Sequence, residues 1–232
     1  MSEAVAERPP AEADADRIAA LNQDYAALGL EERLRKLYRE FPHEQVLVTS
    51  SFAATSAYFL HVVSRMQPRQ AIHFIDTGYH FPETLHYRQY LVERFHLRVV
   101  NVHADDWKHR FTADDKTYEH DPDFCCSINK VEPLDALKPR YAVWVSSLMA
   151  WQSDFRAELP LFERRRGILK FNPMIDVSRE ERDRYIREHD LPFHPLVARG
   201  YSSIGCTHCT VAGEGRSGRW IGKPKTECGL HL

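Results

Sequence analysis

The chain has 232 residues, 43% of them hydrophobic, and a formal net charge of -2. That length suits one sizeable core, the near-neutral charge gives no general attraction to nucleic acid or acidic membranes, and no apolar run approaches the roughly 20 residues that span a bilayer. Five cysteines cannot all pair; with no secretory signal pattern, a reducing cytoplasm is expected, where metal binding or thiol chemistry uses cysteines better than disulfides do.

Residues 1–15, rich in Ala, Glu, Asp and Pro, read as a flexible leader. Helical spacing of Ile18, Leu21, Tyr25 and Leu28, and again of Leu34, Leu37, Tyr38 and Phe41, predicts two packing helices divided at Gly29. Val46-Leu47-Val48 reads as a first strand, followed by a polar loop from Thr49 to Ser56 and a helix from Ala57 to Met66. Small hydroxyl residues before a helix offer N–H groups and a positive dipole end to a phosphate. Ordinary capping is the competing explanation. The pattern recurs in a strand from Ala71 to Asp76, a tight exit at Thr77-Gly78 and a helix after Pro82 to Phe95. Leu97 to Val102 and Ala142 to Ser146 are the third and fourth strands, Arg179 to Glu188 is a later helix, and the polar stretch from Asp105 to Phe124 reads as a loop. The alternation predicts an α/β fold with a doubly wound, mostly parallel sheet, in which ligands bind beyond the strand carboxyl ends. Residues 16–212 are expected to form this domain and 213–232 a glycine- and arginine-rich tail.

The cysteines fall into two pairs, Cys125-Cys126 and Cys206-x-x-Cys209, with Cys228 left over. Adjacent cysteines do not easily share a compact tetrahedral site, and by themselves read equally as buried small residues opening a helix from Asn129 to Leu137. A Cys-x-x-Cys turn can give two thiolates to a metal or cluster; spacing separates neither zinc from iron–sulfur nor either from a redox pair. His208 reads as a supporting or surface residue rather than a ligand. The run Gly213 to Trp220 interleaves three glycines with Arg216 and Arg219, suited to bidentate contact with phosphate or sulfate, a solvated basic turn being the alternative. Cys228 has almost no chain after it to bury it, and Lys223 and Lys225 are expected to extend positive charge towards it, favouring a nucleophilic thiolate.

Three runs carry a resemblance that extends from about Val46 to Leu232: Glu227-Cys228-Gly229-Leu230-His231, Glu214-Gly215-Arg216-Ser217-Gly218-Arg219-Trp220, and Phe74-Ile75-Asp76-Thr77-Gly78-Tyr79-His80-Phe81-Pro82-Glu83-Thr84. The chain resembles the assimilatory sulfonucleotide reductases, which reduce adenylyl sulfate or its 3'-phospho form to sulfite. The resemblance implies an adenine nucleotide alpha hydrolase-like fold, Cys228 as the nucleophile that becomes S-sulfocysteine, and thioredoxin or a similar dithiol as the partner that releases sulfite. It implies that Cys125, Cys126, Cys206 and Cys209 hold a [4Fe-4S] cluster of structural and electrostatic role, the version that usually accompanies adenylyl sulfate. Lys130 would direct charge at the cluster and the bound sulfate; Arg216, Arg219 and His231 would hold the phosphosulfate. Ser50, Ser51, Phe52 and Ser56 would form the phosphate loop, Thr77 and Gly78 would lie near the adenosine, and the tail would close over substrate. Assembly into a homo-oligomer is left open.

Three departures bear on substrate choice. Asn129 stands where many relatives have arginine, Leu148-Met149-Ala150-Trp151-Gln152-Ser153 replaces a segment that usually carries paired arginines, and Ala53-Ala54-Thr55 differs from the common loop. One lost charge-assisted hydrogen bond is worth about 1.5–3 kcal/mol. The alternatives are reduction of 3'-phosphoadenylyl sulfate, an ATP-using sulfur-transfer enzyme of related fold, and a zinc-stabilised nucleotide-binding module without catalysis.

Overall fold

The computed structural model of the chain describes residues 10–232, with side chains from Asp14 onward. Residues 1–9 of the expected leader lie outside the described residues, while residues 10–15 already belong to the helix α1, Pro10–Ala26. Asn22 of α1 exchanges two hydrogen bonds with the backbone of Phe162, at 2.9 Å each, and so fixes α1 to the sheet edge. Helix α2, Leu30–Glu40, buries Leu30, Leu34 and Leu37 at helical spacing and also Arg33. Arg33 is satisfied by Asp176 in a paired contact of 2.5 and 2.7 Å, which offsets the cost of burying it.

The strands are β1, Val46–Thr49; β2, Ala71–Ile75; β3, Arg98–Val102; β4, Val143–Val145; β5, Phe162–Arg165; and β6, Ile168–Phe171. They form one sheet in the order β3-β2-β1-β4-β6-β5, parallel except for the β5–β6 pair. Alternation within β1 divides the core: Val46 and Val48 join a large cluster with α2, with α3, Ser56–Met66, and with α4, Pro82–Phe95, whereas Leu47 points to a smaller one with Trp144 and Ile168. That second face is covered by Leu134 of α8, Glu132–Leu137, and by Leu230 of the tail. Because β1 is flanked by β2 and β4, the chain leaves it towards opposite sides of the sheet. The crevice between the β1 and β4 exits is where such a sheet binds ligands.

Two expectations are corrected. The stretch from Asp105 to Phe124 is not a loop: it holds α5, Asp106–Asp114, and α6, Thr117–His120, and enters α7, Pro122–Cys126. Ser127–Val131 is a wider helical turn joining α7 to α8, so the helix expected from Asn129 to Leu137 is present but begins earlier, at Pro122. The β5–β6 hairpin was not anticipated. Later, α9, Asp154–Ala157, follows the β4 exit, and α10, Arg179–Glu188, starts at Ser178, whose side chain accepts the Glu181 N–H at 3.0 Å. No helix among the described residues is long and apolar enough to cross a membrane.

Candidate active site

A cavity of about 410 Å³ opens at the crevice, within the range that holds a nucleotide-sized ligand. Its floor is the loop after β1. Phe52 is fully buried there with φ 49 and packs edge-on against Phe74 at 5.7 Å, and its N–H donates to Ser50 Oγ at 3.2 Å. The buried ring anchors the loop while Ser50, Ser51 and Ser56 line the cavity. Thr55 precedes α3 without a side-chain cap, so capping does not consume these hydroxyls, and the first N–H groups of α3 carry its positive end.

Basic side chains complete the wall. Lys130, Arg156, Arg179, Arg182, Arg216 and Arg219 all line the cavity, and among the described residues no aspartate or glutamate does. Six cations around a site without a carboxylate make an anion receptor. Arg216 and Arg219 lie over the ring of buried Trp220, at 5.7 and 4.3 Å, and Arg219 reaches Ser203 Oγ at 3.3 Å. His231 stacks on Trp144 at 5.3 Å, and its Nδ1 has no hydrogen-bond partner among the described residues. Burial, then the charges of Lys170, Arg156, Arg216 and Lys138, hold its pKa well below the ordinary histidine value. It faces a ligand as a neutral hydrogen-bonding group.

Cys228 reaches the same cavity but is not on a bare tail. It is half-buried against the cluster of Cys206, Cys209 and Trp220. Its neighbour Glu227, 2% exposed, accepts from Ser153 Oγ at 3.0 Å, from Arg156 Nε and Nη2 at 2.9 and 3.0 Å, and from Arg216 Nη2 at 3.1 Å. Burial would raise the Glu227 pKa; the hydrogen bonds and charge of Arg156, then Arg216 and Ser153, outweigh it and keep the carboxylate ionised. Arg216, desolvated and facing Arg156, has its pKa pulled down to about 10. The expected reach of Lys223 and Lys225 towards Cys228 is corrected too: Lys223 binds the carbonyls of Tyr118 and Glu119, and Lys225 pairs with Asp123. Both lysines tie the tail to α6 and α7.

The other four thiols line a second, small cavity with Thr77, Tyr79, Tyr118, Asn129, Lys130 and His208. The Cys206 loop is tied to the β2 exit by Thr207 N–H donating to Tyr79 O at 2.8 Å. Three sulfurs each have a polar neighbour: Thr77 Oγ1 is 3.3 Å from Cys206, and Asn129 Nδ2 and Lys130 Nζ donate at 3.8 Å to Cys125 and Cys126. Asn129 is satisfied here as well by Thr112 Oγ1 at 2.9 Å and by His109 at 3.0 Å. Burial, then Cys126 and Cys206, pushes the free Cys125 thiol up to about 12. For Cys206 burial acts in the same direction, but Lys130, Thr77 and Arg219 outweigh it and lower its pKa. Burial would discharge Lys130, but the neighbouring Cys206, Cys126 and Cys228 outweigh it and raise its pKa. Among the described residues no three His, Cys, Asp or Glu side chains converge on a point to hold a single metal ion. Four thiols spread around one cavity, three of them with polar groups at their sulfurs, fit a cluster ligated at its corners.

Of the sequence candidates, Ser50, Ser51, Ser56, Lys130, Arg216, Arg219, His231 and Cys228 meet in the large cavity, which Cys206 also borders. Phe52 supports it from below. Thr77 lies in the thiol pocket instead, and Gly78, with φ 72, packs against the His109 ring, so neither is a wall of the large cavity. Sequence reading passed over Trp151, Arg156, Arg179 and Arg182. Isolated arginines on polar segments carry no signal of direction; only folding brings them together.

A parallel sheet with a helix N-terminus, a basic crevice and a thiol at its wall defines a nucleotide-binding α/β protein equipped for thiol chemistry. The family model for the phosphoadenosine phosphosulfate reductase domain matches residues 45–212, and the chain belongs to that family, as an enzyme of the oxidoreductase class. It is 36% identical to an adenosine 5'-phosphosulfate reductase of Mesorhizobium japonicum, over 94% of this chain and 88% of the relative. It is 34% identical to a phosphoadenosine 5'-phosphosulfate reductase of Gloeobacter violaceus, over 91% of this chain and 99% of that one. Among solved structures, phosphoadenylyl-sulfate reductase from Candida auris, in a phosphate complex, matches with a TM-score of 0.71 and 27% identity, covering 84% of this chain and 97% of its own.

Proposed function

We propose that the chain reduces adenylyl sulfate to sulfite and AMP in sulfate assimilation, with Cys228 as nucleophile. The observation that carries this reading is the carboxylate-free cavity walled by six cations, with Cys228 on the same wall. The Cys228 thiolate attacks the substrate sulfur, an S–S bond forms, and the bond from sulfur to the bridging oxygen breaks, with AMP leaving on the electron pair. One thiol of a thioredoxin-like dithiol then attacks Cys228 Sγ and expels sulfite; its second thiol closes a disulfide, which supplies the two electrons. Ser50, Ser51 and the α3 N-terminus hold phosphate oxygens, while Arg216, Arg219 and Lys130 stabilise the charge on the departing phosphate. Glu227 holds the tail so that Cys228 faces the cavity and water is kept from the intermediate. A [4Fe-4S] cluster on Cys125, Cys126, Cys206 and Cys209 would supply a compact charge that Lys130 couples to the bound anion.

Steady-state sulfite release with thioredoxin tests the reading, comparing adenylyl sulfate with its 3'-phospho form. Turnover of the first and no sulfonated Cys228→Ser protein are expected; failure on both substrates overturns it. Preference for the 3'-phospho form would transfer the same mechanism to the other substrate. Anaerobically purified protein is expected to be brown, whereas a colourless preparation with stoichiometric zinc would overturn the cluster assignment.

A further inference from the structure

Segment 148–153, where the chain has Leu148-Met149-Ala150-Trp151, brings no arginine to the cavity: Met149 is fully buried in the large core. Trp151 does reach it. The indole N–H donates to Val177 O at 3.0 Å, which fixes the ring against the start of α10. From there Arg179 and Arg182, three residues apart and therefore on one helix face, place their guanidinium carbons 4.7 and 5.0 Å from the Trp151 ring centre. Both side chains border the cavity.

The two arginines differ from Arg156 and Arg216 in how they are neutralised. Arg156 and Arg216 share Glu227. Arg179 has no carboxylate partner among the described residues, and Arg182 has only Asp183, which meets its Nε and Nη2 through one oxygen at 2.8 and 2.7 Å. Two guanidinium groups over one indole repel each other, and an anion between them relieves that repulsion. Stacking also limits their rotation, so little freedom is lost when they bind. Tyr185 of α10 stacks on Tyr58 of α3 at 3.9 Å, which ties this pair to the helix whose N-terminus faces the same ligand.

We propose that Arg179 and Arg182, set by Trp151, form a second anion subsite of the cavity that takes a phosphate-type group of the nucleotide. The inference rests on the reading of the cavity as a sulfonucleotide site. The group is either the 3'-phosphate or the 5'-phosphosulfate end; both present the same tetrahedral anionic oxygens to a guanidinium fork.

The test is equilibrium binding of adenosine, AMP and adenosine 3',5'-bisphosphate to the full chain and its Arg179→Ala/Arg182→Ala variant. Adenosine affinity is expected to stay within about twofold, and affinity for a phosphorylated ligand to fall roughly 10-fold or more. A loss confined to the bisphosphate assigns the 3'-phosphate, and an equal loss for AMP and the bisphosphate assigns the 5' end. The Arg179→Lys/Arg182→Lys variant should recover part of the affinity, and in turnover the alanine variant should raise KM. Unchanged affinity for both phosphorylated ligands overturns the subsite. Wild-type protein that binds AMP through these arginines yet releases no sulfite would instead sink the reductase reading alone.

Discussion

The loop after β1 and the segment from Gly213 to Leu232 face the same cavity and are held there by different forces. The loop hangs between β1 and α3, both packed into the core, and is anchored by the buried Phe52 ring. The tail has turns but no helix or strand; beside the packing of Trp220 and Leu230, polar pins set its place: Glu227 between Arg156 and Arg216, Lys225 on Asp123, and Arg166 on the carbonyls of Gly229 and Leu232. The anion cradle therefore shares the cooperativity of the core, whereas the proposed nucleophile rides on contacts that can break locally. In the proposed reaction the thiol meets a substrate and then a bulky dithiol partner, and the second arrangement suits that sequence.

The comparison is broken most severely from the core side. Phe59, fully buried on α3, is expected to cost about 3–5 kcal/mol when changed to alanine. Urea unfolding should show that loss as a single transition, and nucleotide binding should disappear with it; a variant that loses tail order while the sheet keeps its stability would erase the distinction. The tail-side counterpart is Glu227→Ala, which leaves Arg156 and Arg216 facing each other without their anion. Roughly 3 kcal/mol is expected from breaking such a buried pair, but as local opening. Hydrogen exchange should accelerate over residues 225–232, sulfite release should fall by about 10-fold or more, and the melting temperature of the sheet should hardly move.

Protonation reaches the same pin more gently. The folded pKa of Glu227 lies below its ordinary 4.5, so its contribution is fully present above that value and is lost as pH falls through the lower folded value. Exchange protection of the tail should therefore be flat across neutral pH and decline only below the usual carboxylate range. Glu227→Gln should remove that acid limb; a limb that survives the substitution belongs to another group.

Legibility in the sequence followed the same division. Strands β1 to β4 and helices α3, α4 and α10 are readable because periodicity reflects burial against the sheet. The β5–β6 hairpin is not: Glu163, Arg164 and Arg165 disguise an edge strand, fully buried Lys170 sits in β6 against Glu163 at 3.0 Å, and the turn uses Arg166-Gly167, with φ 48 and 81, instead of a stronger turn pair. The helices between Asp106 and Cys126 are hidden for a related reason, since they leave Trp107 and Phe111 exposed and bury little at regular spacing. Cys228, Arg216 and Arg219 could be singled out by residue type and neighbours. Glu227 could not: a glutamate beside a cysteine gives no hint that Ser153 and Arg156, some seventy positions earlier in the chain, will close around it. The fold's exits were legible, and the long-range polar pins were not.

The smallest expected effect separates the two cavities from each other. Gly78 has φ 72, and a Cβ there would come within 2.8 Å of the His109 ring. Gly78→Ala should cost about 1–2 kcal/mol, most of it met by movement of His109, which is an end-of-chain ring and not backbone. His109 holds Asn129 Oδ1 at 3.0 Å, and Asn129 reaches Cys125, so the disturbance passes to the thiol pocket, while the β1 loop and the tail are untouched. AMP affinity should stay within about twofold and the iron content of anaerobically purified protein should drop. Equal losses in nucleotide affinity and iron would mean that the β2 exit serves both pockets, and that Gly78 belongs to the adenosine side after all.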